Sequence, residues 1–166
     1  MRIEQEAREN IQYFQQFAAK HVFVSLFKWG SEGPVAIASE PLPFTNNEND
    51  LLLKMAAFYS TNLPQDEENN STLGLYGPFP IPHVSDHIAL FYSFEIEDPD
   101  TDPRFKGRSY GFISISIPKS LEKFFTNKKS ISRILAKHLA TKRIIKNIDN
   151  EVIQQIKDEI LDLEVR

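Results

Sequence analysis

Within this chain, the acidic segment Asp98-Pro-Asp-Thr-Asp102 most resembles a metal-binding loop in the spacing of its residues. It places carboxylates at alternate positions, as the first half of an EF-hand calcium loop does. Such a loop also needs glycine at its sixth position and glutamate at its twelfth, and here those positions hold Pro103 and Ser109. Three basic residues lie in the same stretch: Arg104, Lys106 and Arg108. We therefore interpret the segment as a solvated, mixed-charge loop between two strands.

Other motifs for catalysis or metal binding are missing from the sequence. The four histidines, His21, His83, His87 and His138, do not form the HxxxH or HExxH spacing that holds zinc. His138 falls on the apolar stripe of a predicted helix, where a core histidine is the expected role. The chain has no cysteine, which excludes disulfides, thiolate metal sites and a cysteine nucleophile. No GxSxG, P-loop or GxGxxG motif occurs. We expect a protein that is not an enzyme, with no catalytic residue, metal or cofactor.

A strongly basic segment lies near the C-terminus, although the net charge of the whole chain is −4. Residues 119–146 hold nine Lys or Arg and one acidic residue, whereas residues 1–118 hold eight basic and sixteen acidic residues. Such a helix could bind an anionic membrane or nucleic acid, but few aromatic residues that would stack on bases accompany it. A solvated face that neutralises an acidic body is favoured. Four of its residues are candidate interaction residues: Arg133, Lys137, Lys142 and Arg143.

Trp29, the only tryptophan, is the fifth candidate interaction residue. It lies at the tip of a predicted hairpin, where an exposed aromatic side chain can anchor an interface. It is equally favoured that the Trp29 side chain folds back and covers the core.

Hydrophobic periodicity predicts the elements that must position these residues. Residues 2–20 predict an amphipathic helix, because apolar residues recur there at spacings of three and four. Two strands, 21–29 and 35–39, predict a hairpin across a Gly-Pro turn. A helix near 49–62, a polar loop at 64–71, a strand at 73–82 and helices within 119–165, the last starting near Asp149 or Asn150, complete the chain.

Residues 87–97 and 109–117 predict an antiparallel strand pair at the centre of the sheet. Ile113, Ile115 and Ile117 alternate with serines, which is the period of two of a half-buried strand. We expect these isoleucines to face the helices. We expect the serines of the pair, Ser93, Ser114 and Ser116, to lie on the outer face.

Together these elements predict one α+β domain over residues 1–166. Its core is a single five-stranded antiparallel meander sheet with helices packed on its faces, in the order β-β-α-β-β-β-α-α after an extra N-terminal helix. No apolar run approaches the roughly 20 residues that span a bilayer, and the N-terminus is too polar for a signal peptide. With no cysteine, the sequence agrees with a cytoplasmic protein.

This order resembles that of longin domains, in particular those of the nitrogen-permease-regulator and folliculin kind. The likeness rests on the hairpin at 23–34, where a Gly-Pro turn follows an apolar strand. It also rests on Gly77-Pro-Phe-Pro-Ile-Pro82, which leads into the strand at 89–94. The N-terminal helix departs from the longin pattern and resembles roadblock domains, as the strand at 35–39 does. Profilin is a more distant alternative.

The resemblance implies a non-enzymatic platform that dimerises and binds small GTPases. We expect a homo- or heterodimer whose partner is a small Ras-like GTPase, membrane-trafficking machinery or another longin or roadblock domain, with peripheral contact to an anionic membrane. A roadblock-like GTPase-regulator scaffold is one alternative. A small-ligand sensor, marked by polar side chains pointing into the core, and a basic-helix binder of nucleic acid or anionic membrane are the others.

Overall fold

The computed structural model describes residues 2–30, 33–39, 50–51, 54–55, 57–58, 74–82, 84–97, 108–140, 144 and 147–163. Its helices are α1 (Arg2–His21), a 3-10 helix (Lys119–Phe125), α2 (Lys128–Ala140) and α3 (Asn150–Leu163). Its strands are β1 (Phe23–Gly30), β2 (Gly33–Ser39), β3 (Gly74–Ile81), β4 (Val84–Glu97) and β5 (Arg108–Pro118). Six residues within the predicted inserted helix are also helical: Asp50, Leu51, Lys54, Met55, Ala57 and Phe58. The loops predicted at 64–71 and 98–102 lie outside the described residues.

The five strands form one antiparallel sheet in the order β2-β1-β5-β4-β3, which confirms the predicted fold class. Strands β3, β4 and β5 form a meander, and β1 and β2 form a hairpin. The two parts join where β1 pairs with β5, so the chain passes from one edge of the sheet to the other between β2 and β3. Strand β5 is therefore central, and its pairing with β4 runs from His87↔Pro118 to Glu97↔Arg108.

One side of the sheet, which we call the apolar face, packs against α1, the 3-10 helix, α2 and α3. Strand β5 presents Ile113, Ile115 and Ile117 there, each at most 1% exposed, as predicted. The helices contribute apolar residues to the same cluster: Ala18, Leu121, Phe125, Ile131, Leu135, Ile153, Ile156 and Ile160. In the 3-10 helix, α2 and α3 these residues recur every three or four positions, so each of these helices turns one stripe toward the sheet, whereas α1 contributes Ala18 near its C-terminal end.

The opposite side, which we call the serine face, carries the side chains of Ser25, His87, Ser93, Ser114 and Ser116, interleaved with phenylalanines. The prediction that the serines at 93, 114 and 116 lie outward is wrong, because each is 0% exposed. The inserted helix supplies the physical reason. Its Leu51 and Met55 are buried in one cluster with the phenylalanines of this face, so the central strands are covered on both sides.

Local side-chain caps define where the C-terminal helices begin. Asp149 Oδ1 accepts a hydrogen bond of 3.0 Å from the amide of Val152, which satisfies one of the free donors of the first turn of α3. Asn127 Oδ1 accepts from the amide of Ser130 at 3.2 Å in the same way in α2. The predicted start of the last helix is confirmed, and residues 126 and 127 separate the 3-10 helix from α2.

None of the helices among the described residues combines the length and the hydropathy needed to cross a membrane.

Gly111 makes room for an aromatic ring at the centre of the sheet, which predicts a sensitive position. It pairs with Phe94 across β4 and β5, and a Cβ on Gly111 would lie 2.5 Å from Cζ of that ring. We expect Gly111→Ala to lower the free energy of unfolding by about 1–3 kcal/mol, because the overpacked core must distort. Urea unfolding measures the change.

The matched control is the same substitution in a Phe94→Leu background. The smaller side chain removes the clash, so the cost of Gly111→Ala falls there, as a double-mutant cycle reports. Equal costs in the two backgrounds would show that the ring is not the cause.

Candidate interaction surfaces

The helix α1 is attached to the domain by its C-terminal end and is otherwise exposed. Every residue from 2 to 13 is exposed, Phe14 and Phe17 are partly buried, and Ala18 is fully buried. The apolar stripe that predicted this helix includes Ile3 and Ile11. It therefore contacts the core only through its last residues, and the first three turns of α1 are exposed to solvent.

A buried lysine fixes this attachment. Lys157 of α3 is 3% exposed, and its Nζ donates a hydrogen bond of 2.9 Å to the backbone carbonyl of Ala19. The same ammonium lies 5.6 Å from the centroid of the Phe23 ring. The last carbonyls of a helix lack partners within the helix and attract a positive charge. Lys157 thus holds the end of α1 against α3 and the start of β1.

Exposed apolar side chains concentrate on α1 and on the edge strand β2. Five large hydrophobic residues are exposed in the described part of the chain: Ile3 (82%), Ile11 (38%), Tyr13 (71%), Ile37 (41%) and Ile144 (41%). The first three lie on α1 and the fourth on β2, which ends the sheet on one side. An edge strand offers backbone groups for pairing with another chain. These two elements form the candidate surface.

The predicted basic face is partly engaged in holding the fold together. Arg133 and Lys137 lie one turn apart on α2, and both are exposed. Lys137 Nζ donates to Glu159 Oε1 of α3 at 3.1 Å, and His138 Nε2 lies 3.0 Å from the same oxygen. At the start of α2, Lys128 Nζ donates to the carbonyl of Gly77 on β3. This pairing agrees with the interpretation that basic residues neutralise an acidic body.

Glu159 is the centre of this charged contact between α2 and α3. Partial burial raises the pKa of its carboxyl, but hydrogen bonds and charges from Lys137 and His138 outweigh that effect and place the pKa below its usual value. His138, predicted to be a core histidine, has a side chain that is 14% exposed. It therefore lies at the border of the core rather than in its interior.

The remaining predicted interaction residues are Trp29, Lys142 and Arg143. Trp29 lies in β1 opposite Pro34, one residue from the end of the strand, on a different element from α2. Its side chain is outside the described residues, and so are Lys142 and Arg143. Of the five candidates, the structure describes the side chains of Arg133 and Lys137 alone, and it places those two together on α2. The exposure of α1, which sequence reasoning missed, had one available sign: five of the eight residues 2–9 are charged.

A shallow groove runs between α1 and α3 beside the Lys157 contact. Its volume is about 480 Å³, it is open to solvent, and it is lined by Gln15, Ala19, Asp158, Glu159, Leu161 and Asp162. Three of these six side chains are acidic. No group of three or more His, Cys, Asp or Glu residues among those described is arranged to hold a metal ion.

No family model, curated protein or solved structure matches this chain. The function is therefore inferred from the surfaces described above.

The contact around Glu159 predicts a small, pH-dependent contribution to stability. We expect Glu159→Gln to lower the free energy of unfolding by about 0.5 kcal/mol near neutral pH, because the pair is partly solvated and screened. Since the folded pKa is depressed, the contribution is present above the unfolded carboxyl value, about 4.3, and is lost as the pH falls through the folded pKa. Unfolding curves of both proteins at several pH values measure it.

The matched control is Glu122→Gln, which removes an exposed carboxylate from the 3-10 helix. This account would be contradicted if the difference in free energy of unfolding between the wild type and Glu159→Gln grew as the pH falls below about 4. The folded carboxyl would then bind its proton more readily than the unfolded one.

The Lys157 contact predicts that α1 can be loosened separately from the rest of the domain. Lys157→Met keeps the apolar length of the side chain but removes the donor to Ala19. We expect hydrogen exchange at Phe14–Ala18 to accelerate by about tenfold, since a hydrogen bond to a charged group contributes about 1.5–3 kcal/mol and the buried charge itself costs part of that. Exchange in β4 and β5 should not change. The control is Lys129→Met on the exposed side of α2; equal acceleration in both variants would contradict the anchor.

Proposed function

We propose that this chain is a non-enzymatic protein-interaction module that binds its partner through α1 and the edge strand β2. The observation that carries the proposal is the exposure of Ile3 and Tyr13, at 82% and 71%, on a helix held only at its other end. The exposed turns of a helix gain little from standing alone in water, since most helical stability in proteins comes from packing an apolar face. The exposed turns of α1 are therefore suited to packing against another protein.

The spacing on α1 suits insertion into a groove of a partner. Ile3, Ala7 and Ile11 follow one another at intervals of four residues, which places them on one side of the helix. Helix-in-groove recognition uses such anchors. Burying one isoleucine that was previously exposed contributes roughly 1.5–3 kcal/mol, so each such anchor adds measurably to binding.

We propose a small Ras-like GTPase as the partner, or alternatively trafficking machinery or a second longin or roadblock domain, with the module acting in the cytoplasm as a homo- or heterodimer. A five-stranded antiparallel sheet with helical residues after the second strand and helices at the end supports this proposal, because it is the arrangement that the longin resemblance implies. The edge strand β2 supports the dimer, since a strand from another chain can pair with it.

A protein partner fits the charges of this surface better than an anionic membrane or nucleic acid does. The exposed turns of α1 carry Glu4, Glu6 and Glu9 but only two arginines, so an anionic partner would be repelled there. On α2, Lys137 is engaged by Glu159 and Lys128 by Gly77, which reduces the basic charge available for phosphates.

The proposal predicts that α1 variants lose partner binding without loss of fold. We expect Ile3→Gln combined with Tyr13→Gln to keep the circular dichroism spectrum and to weaken binding by more than tenfold, because two anchors are removed. Light scattering of the chain, alone and mixed with Ras-like GTPases of the same genome in both nucleotide states, measures self-association and binding.

The control is Ile144→Gln, which removes an exposed isoleucine that lies on neither α1 nor β2. A wild-type chain that is monomeric and binds none of these GTPases would reject this partner class. Equal loss in the control and in the α1 variant would show that α1 is not the contact element.

A further inference from the structure

A small pocket lies beside β3, at the edge of the sheet opposite β2. Its volume is about 140 Å³, and it is lined by residues of β3, β4, β5, the 3-10 helix and the start of α2. Leu90 of β4 and Ile117 of β5 belong to the apolar cluster, so the pocket reaches the apolar face of the sheet from its β3 side. None of the described residues that line it lies on α1 or β2, which distinguishes it from the surface proposed for partner binding.

A β-bulge in β3 shapes one wall of the pocket. At the register shift in this strand, two residues, Gly77 and Pro78, oppose the single residue Leu90 of β4. Gly77 has a φ of +116°, and a Cβ there would lie 2.8 Å from the carbonyl oxygen of Ala89, so the close approach of the two strands requires glycine. Pro78 is exposed and lines the pocket. Bulges often occur beside functional sites, where they redirect a side chain.

The floor of the pocket is apolar and its mouth is charged. Leu90, Ile117 and Phe125 form the floor, since each is at most 3% exposed. Glu122 and Lys128 lie at the mouth, where both residues are exposed. A cavity of about 150 Å³ lined by leucine, isoleucine and phenylalanine stays dry and binds a molecule of the size of benzene. The pocket therefore has the volume and the lining to take one branched aliphatic or aromatic group.

The two charges at the mouth have opposite signs. Lys128 Nζ donates to the carbonyl of Gly77, which holds this ammonium beside the bulge and leaves it further donors for a ligand. Lys128 is also the first residue of α2, and the N-terminal end of a helix attracts negative charge. Glu122 offers a carboxylate that accepts hydrogen bonds from a cation. A ligand that suits both residues carries one negative and one positive group.

We infer that this pocket binds a small zwitterion with one branched or aromatic apolar group, which is the composition of a free apolar amino acid. The apolar group enters the floor, the ammonium pairs with Glu122 and the carboxylate pairs with Lys128. This inference goes beyond the proposed function, which concerns α1 and the opposite edge of the sheet. Either can fail without the other, because the partner-binding experiment does not involve the pocket.

Four probes separate the contributions of the three groups: leucine, alanine, 4-methylpentanoate, which lacks the ammonium, and 3-methylbutylamine, which lacks the carboxylate. Titration of the full chain, followed by the NMR shifts of the methyl groups of Ile88, Leu90 and Ile117, locates binding and gives the dissociation constants. We expect leucine to bind at least about tenfold more tightly than alanine, because three more carbons are buried. We expect it to bind about threefold more tightly than either analogue, because an ion pair at a solvated mouth contributes modestly.

A charge variant at the mouth gives a second measurement. Glu122 is exposed, so Glu122→Gln should keep the fold, remove the preference for leucine over 4-methylpentanoate and retain the preference for leucine over alanine. Glu151→Gln, at an exposed glutamate of α3, is the matched control and should change neither preference. The inference would be overturned if leucine left the three methyl-bearing residues unshifted, if leucine and alanine bound equally, if either analogue matched leucine, or if Glu122→Gln and its control behaved alike.

Discussion

The pairing of β5 with strands on both sides is the constraint on which the rest of the structure depends. β5 is central in the sheet, and its side chains alternate strictly between two covered faces. Because a shift of one residue in register would move every side chain to the other face, the alternation of isoleucine and serine fixes the pairing. The same alternation separates the interior into an apolar layer under the helices and a layer of phenylalanines and serines under the inserted helix.

The helix α1 is attached to the domain through this apolar layer. The stripe of α1 reaches this layer only near the C-terminal end of the helix, through Phe14, Phe17 and Ala18. Lys157 adds a charged contact at that end and helps define the direction in which α1 leaves the domain. The exposed turns are therefore a consequence of where the helix is anchored, and they offer a partner an apolar surface that the domain does not itself bury.

Much of the fold could be predicted from the sequence, because local patterns determine it. The period of two in Ile113–Ile117 identified the central strand and the side that faces the helices. The start of α3 was predictable because Asp149 is a good capping residue. The order β2-β1-β5-β4-β3 was harder to derive, since the pairing of β1 with β5 joins residues about 90 positions apart, and no local pattern specifies such a contact.

The candidate sites were less predictable, and the reasons are physical. Serine alternating with isoleucine is the usual pattern of a strand with one solvated face, so the burial of Ser114 and Ser116 depends on the inserted helix covering that face. An amphipathic stripe such as that of α1 usually packs along its whole length. The pairing of Lys137 with Glu159 depends on the contact between α2 and α3, and a count of charged residues in the sequence cannot reveal that contact.

Hydrogen exchange of the full chain, free and mixed with a Ras-like GTPase, tests the central claim most directly. The claim is that the first three turns of α1 form the partner-binding element. In the free chain, amides at 2–13 should exchange much faster than those of β4 and β5, because the exposed turns open locally. In the complex they should become protected. Protection of other segments with α1 unchanged, or α1 amides already as protected as the sheet in the free chain, would contradict the account.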